Sequence, residues 1–130
     1  MRQNVWEYND CEFEVDFEDA DFVERYWDAV DHLGKTEKEL NDQVPDRNFL
    51  RSYCKMFYQF FDELFGDGSG DKILNGKYNA RECEAAYDSL ITFGSERVRA
   101  VNTARLNRAQ RRAQSNNRRN KPNHNNRGRR

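Results

Sequence analysis

Two histidines, two prolines and three cysteines are all of those types in 130 residues, and no apolar run approaches the length of a bilayer span. Each scarcity removes a class of function. His32 falls on an expected helix and His124 in a polar tail, so neither a Cys–His pair nor a zinc site of usual spacing can be assembled. Cys11, Cys54 and Cys83 are odd in number and lack a paired short spacing, and they read as buried thiols of a reducing compartment. There is no glycine-rich phosphate loop ending in Lys-Ser/Thr and no Gly-x-Ser-x-Gly turn. The expectation is a protein without catalysis, metal or cofactor. Its N-terminus, Met-Arg-Gln-Asn-Val-Trp-Glu, is polar and acidic rather than secretory, which predicts a cytoplasmic protein with no membrane partner.

Two further absences divide the chain. All 17 aromatic residues lie between Trp6 and Phe93, and none of the 23 acidic residues lies beyond Glu96. Residues 1–96 carry 10 basic against 23 acidic side chains, a net −13, whereas residues 97–130 carry 12 basic and no acidic ones, so the overall −1 conceals two opposed parts. The last third cannot build a core. Its charge suits an anionic partner, either nucleic acid or an acidic protein surface, the chain's own included.

What is present is strongest from Asp46 to Gly66. Phe49, Leu50, Tyr53, Cys54, Phe57, Phe60, Phe61, Leu64 and Phe65 recur at three and four residues, the spacing of one buried helix face. Pro45 and Asp46 suit its entry and Gly66 its exit.

Ahead of it, Cys11, Phe13, Val15 and Phe17 alternate with Glu12, Glu14 and Asp16, as in a half-buried strand. With Val5–Tyr8 and a tight turn at Asn9-Asp10, this predicts a β-hairpin. Glu18 to Asn41 returns to helical periodicity, with Phe22, Tyr26, Ala29, Val30 and Leu33 on one face and a capping-box pattern from Asp21 to Glu24. Gly34 is expected to stop or fray that helix.

Gly66-Asp-Gly-Ser-Gly-Asp-Lys72 resembles a calcium loop, but counted from Asp67 its sixth and twelfth positions are Lys72 and Tyr78, which predicts an ordinary flexible connection. Asn75-Gly76 is a turn signal. Asn79 with Glu82 reads as a cap for a helix presenting Cys83, Ala86, Tyr87 and Leu90, which Gly94 closes or bends, and Ser95 can cap a last helix over 96–114. On that last helix Arg105, Arg108 and Arg112 line one side.

The fold class expected is α+β: an N-terminal β-hairpin, then a mainly helical bundle of three to four helices, then a disordered basic C-terminal tail. Residues 1–96 form the acidic domain, 97–114 a basic amphipathic helix, and 115–130 an Asn/Arg-rich tail with nothing apolar to bury.

A short acidic hairpin, the phrase Phe60-Phe-Asp-Glu-Leu-Phe-Gly66, a Gly/Ser loop, Lys72-Ile-Leu-Asn-Gly-Lys77, Asn79 and a Cys-bearing amphipathic helix together resemble the tail assembly chaperones of phages and prophages of Gram-positive bacteria. The resemblance covers about residues 4–93 and carries no active-site signature; the segment from Arg97 onward has no counterpart in it. It implies a non-catalytic helper that coats the tape measure protein, keeping its amphipathic helices soluble until tail tube protein polymerises around them. Phe60, Phe61 and Phe65, then Trp27 and Tyr58, are the candidate partner-binding residues, each with core packing as the plainer alternative. A homo-oligomer is compatible with this reading.

The competing reading assigns function to the arginines. Asn107-Arg-Ala-Gln-Arg-Arg-Ala-Gln114 looks like the short arginine-rich helices that fold into RNA grooves, making Arg105, Arg108, Arg111, Arg112, Arg118 and Arg119 candidates for binding nucleic acid or an acidic partner. No aromatic is interleaved with them to stack on bases.

Overall fold

The computed structural model describes the backbone of residues 3–128 and the side chains of residues 3–115; in the segment expected as a tail over 115–130 the side chains from residue 116 on, those of Arg118 and Arg119 among them, lie outside the described ones. Two strands and four helices follow in order: β1 (Val5–Tyr8), β2 (Cys11–Glu14), α1 (Ala20–Asn41), α2 (Phe49–Phe65), α3 (Ser69–Leu74) and α4 (Ala80–Gly128). The fold is α+β, a hairpin followed by helices, as the patterning predicts. The chain divides into two compact units, 1–97 and 98–130.

Asn9 and Asp10 adopt φ of 49° and 63°, the left-handed pair that a two-residue hairpin turn needs to match strand twist. β1 and β2 pair antiparallel with Trp6 opposite Phe13 and Tyr8 opposite Cys11. That face meets the helices: Trp6 stacks on Phe61 at 6.0 Å, and Phe13 on Phe65 at 4.4 Å. The Trp6 indole donates to Ser89 Oγ of α4 at 3.1 Å, fastening the hairpin on a second side. β2 ends at Glu14, short of the alternation, and Val15 and Phe17 enter the core from the following loop. Cys11 is only half-buried, because it sits beside the hairpin turn, where its thiol donates to Lys72 O at 3.3 Å.

The cap of α1 is Asp19, whose carboxylate accepts from Asp21 N, so the capping-box pattern two residues later does not set its start. Gly34 neither stops nor frays α1; hydrogen bonding carries the helix to Asn41 across an exposed position. Arg25 Nε donates to Leu64 O at 3.0 Å and ties α1 to the end of α2.

On α2 the buried face holds Cys54, Met56, Phe57, Tyr58, Phe60, Phe61 and Leu64, while Leu50 is 59% exposed. Met56 and Tyr58 are thus added to the expected stripe and Leu50 is lost from it. The reason for Tyr58 is α3. The glycine-rich stretch expected to be a flexible connection is a short helix whose Ser69, Gly70, Ile73 and Leu74 are buried. Asp62 Oδ1 accepts from Gly70 N at 2.8 Å, and Tyr58 OH donates to Lys77 O at 2.6 Å.

Asn79 Oδ1 accepts from Glu82 N, the cap predicted for α4. The helix does not close at Gly94, and Ser95 caps nothing. Gly94 is buried in the helix interior, and a Cβ there would stand 3.0 Å from Tyr26 OH and 3.2 Å from Phe17 Cζ. Its lack of a side chain serves close packing, not termination.

Candidate functional site

The candidate partner-binding residues separate once folded. Phe61 is wholly enclosed, Phe60 is 2% exposed and Tyr58 is 8% exposed, so these three are core in the single chain. Phe60 lines a pit between α1 and α2 with room of about 40 Å³, which suits water rather than a side chain. Phe65 is half-buried, stacked on Phe13 and Trp6. Trp27 is different: it is 52% exposed, its ring resting edge-on against Tyr26, with Glu24, Asp28 and Asp31 exposed around it on α1.

In the second unit Arg105, Arg108, Arg111 and Arg112 lie on α4. Arg105, Arg111 and Arg112 are exposed and Arg108 is half-buried. Arg97 instead belongs with the first unit, half-buried, its guanidinium donating to Asn4 Oδ1 at 3.3 Å while its Nε is enclosed without a partner.

A cleft of about 260 Å³ opens where α1, α2 and α4 converge, lined by Leu33 and Glu37 of α1, Tyr53 and Phe57 of α2, and Glu84, Tyr87 and Asp88 of α4. Leu33 and Phe57 are buried and make its floor; Tyr53 and Tyr87 are half-buried walls; Glu84 and Asp88 are exposed at the rim. Phe57 meets Tyr53 at 5.3 Å and Tyr87 at 5.6 Å, both edge to face. Tyr53 OH donates to Glu84 Oε2 at 2.5 Å across the mouth. Burial, then the bond to Glu84 and the charges of Glu84 and Glu37, push the Tyr53 hydroxyl far above its ordinary value, and burial with Glu37 and Asp88 raises Tyr87. Both phenols are therefore neutral at physiological pH, beneath three carboxylates. Of these residues only Leu33, Tyr53, Phe57 and Tyr87 stand out in the sequence, all as core; the spacing Glu84, Tyr87, Asp88, one helix face, is the further signal available.

Cys54 and Cys83 meet as buried thiols, both raised chiefly by burial, Cys83 to about 12, which suppresses the thiolate and with it reactivity. His32 Nδ1 lies 2.7 Å from Glu63 Oε2 on the exposed surface. Among the described residues no three His, Cys, Asp or Glu side chains are placed to share a metal ion, and no helix is long and apolar enough to cross a membrane.

Burial pushes the hydroxyls of Tyr26 and Tyr58 up to about 12 each. Their unfolded values stay near ~10. Between these limits the unfolded chain holds fewer protons at these two groups than the native one, so the stability they contribute is fully present below about pH 9 and is lost as pH rises through ~10 to 12. Urea midpoints across that range, read beside a tyrosinate absorbance titration, should fall together with ionisation; a midpoint unchanged at about pH 11 would refute the assignment.

No curated protein and no solved structure shows significant similarity to the chain. Residues 9–122 match the model of a family of unknown function, DUF6673, and with most of its length inside that match the chain belongs to this family.

Proposed function

We propose that the protein is a non-enzymatic phage tail assembly chaperone that binds the tape measure protein and holds its amphipathic helices in solution during tail tube assembly, in the host cytoplasm. Trp27 carries this reading. A tryptophan left half in solvent offers a large apolar contact, and the acids around it supply a polar rim that discriminates among partners. Val44 and Leu50, exposed at 89% and 59%, add apolar area at the junction of α1 and α2. An amphipathic helix with basic flanks is the complementary surface. The net charge of −13 over residues 1–96 keeps such a helper in solution when its apolar side chains are unoccupied.

Co-expression with the tape measure protein is the direct test. Soluble tape measure protein should rise in the presence of the wild-type chain, and Trp27→Ala should reduce that yield several-fold while changing the chaperone's own stability by less than about 1 kcal/mol, as an exposed substitution does. A tape measure protein equally insoluble with and without this chain would end the proposal.

The exposure of Arg105, Arg111 and Arg112 favours a second reading, binding of RNA through the arginine-rich segment. Changing these three to glutamine separates the two. Under the RNA reading, gel-shift affinity disappears and the wild-type complex weakens steeply with salt; under the chaperone reading, solubilisation of the tape measure protein is unaffected.

A further inference from the structure

The cleft between α1, α2 and α4 lies outside both of those readings, and its chemistry is specific. Its room, about 260 Å³, is below the ~300–1,000 Å³ of pockets that enclose drug-sized ligands, and suits one long side chain entering from outside. The walls and floor present three aromatic rings, Tyr53, Phe57 and Tyr87, and the rim three carboxylates, Glu37, Glu84 and Asp88, with no lysine, arginine or histidine in the lining. A flat cation that stacks on rings while giving N–H bonds to carboxylates satisfies both, and that is a guanidinium. The high pKa values of Tyr53 and Tyr87 keep the walls protonated, so the negative charge stays on the rim, where a cation would meet it.

The occupant is indicated by the distribution of charge along the chain. Residues 97–130 hold 12 of the 22 basic residues and no acidic or aromatic one, so this segment supplies no carboxylate side chain to pair with its guanidiniums; residues 1–96 hold all 23 acids. The two charges, +12 and −13, are near equal and occur in fixed one-to-one proportion in every copy. We propose that this cleft receives an arginine side chain from the basic segment of a second copy of the chain, within residues 98–130, giving a salt-sensitive self-association. The contact joins unlike surfaces of the two copies, so it is heterologous and can repeat from copy to copy. Arg105, Arg111 and Arg112 are the exposed candidates among the described residues.

Sedimentation velocity of the full-length chain over a concentration series, at about 0.05 M and about 0.5 M salt, is the test. Mass should increase with concentration at low salt and return to the monomer at high salt. The variant Glu37→Gln/Glu84→Gln/Asp88→Asn, which keeps shape and hydrogen bonding, should weaken association by about tenfold or more. The variant Glu7→Gln/Asp10→Asn/Glu14→Gln, which removes the same charge from the hairpin, should weaken it far less. A synthetic peptide of residues 98–115 should compete with self-association, and its all-lysine counterpart should compete less well, since lysine lacks the planar fork. The proposal is overturned if the chain is monomeric at every concentration at low salt, if the cleft variant associates as the wild type does, or if the two charge-removing variants lose association equally.

Discussion

Trp6→Ala should cost about 3–5 kcal/mol, the range for truncating a large aromatic in a packed core, and lower the melting temperature by on the order of 15–30 °C. Trp6 is 2% exposed on a strand of only four residues, and its ring stacks on Tyr8, Phe61 and Phe65 at 5.5, 6.0 and 6.1 Å. A two-stranded hairpin is marginal by itself in water, so β1 and β2 persist because this ring anchors them to α2 while the indole N–H holds Ser89 of α4. Small domains have net stabilities of about 5–15 kcal/mol, so the loss removes a large part of the total. Trp6→Phe isolates the polar component. It retains much of the apolar area and gives up the bond to Ser89, which is half-buried and within reach of water, so about 0.5–1.5 kcal/mol of the loss should come from that bond. Urea unfolding of both variants supplies the comparison. A loss under about 1 kcal/mol for the alanine variant would mean that the hairpin is held by something other than this side chain.

Local signals in the sequence mapped onto structure at the two turns and at the cap of α4. Asn9-Asp10 and Asn75-Gly76 take positive φ, and Asn79 caps α4, because these residues satisfy their own nearest peptide groups and need nothing distant. The errors at Gly94 and along α2 share one cause, the geometry of a neighbour that is remote in sequence. Gly94 followed by Ser95 has the composition of a helix end, yet what decides its place is the hydroxyl of Tyr26 and the ring of Phe17, more than sixty residues earlier. Leu50 belongs to the apolar stripe by spacing, yet it precedes the length of α2 that other elements cover, whereas Met56 and Tyr58 lie off the stripe and are buried. The candidate sites show the same division. Phe60 and Phe61 were conspicuous because α2 is the core helix, and for that reason they are inaccessible. The cleft is assembled from α1, α2 and α4, with Glu37 separated from Asp88 by fifty-one positions, and its half-exposed tyrosines register in a periodicity count only as core.

Gly70→Ala should destabilise the protein by about 1–3 kcal/mol, although the substitution normally favours a helix. A Cβ at residue 70 would stand 2.9 Å from Tyr58 O and 3.0 Å from Tyr58 Cα, both backbone atoms in the middle of α2 that cannot rotate aside. The first turn of α3 must therefore withdraw. Doing so stretches the 2.8 Å bond from Gly70 N to Asp62, lifts Ile73 and Leu74 from the core, and disturbs the side of the hairpin that leans on α3, where Asn9 Nδ2 donates to Ile73 O at 2.8 Å. Against these losses stands a gain in helix propensity of roughly 0.5–1 kcal/mol. Gly34→Ala supplies that gain without the clash. Gly34 is exposed in the interior of α1, and a Cβ there meets nothing within 4 Å, so the change should raise stability by about 0.5–1 kcal/mol. The same replacement thus has opposite signs at two helical positions, and the difference between them, about 1.5–4 kcal/mol, measures how tightly α3 is seated on α2. Parallel urea titrations of the two variants provide it. If Gly70→Ala unfolds at the wild-type midpoint, α3 is not pressed against the Tyr58 backbone, and the burial of Tyr58 has to be explained in another way.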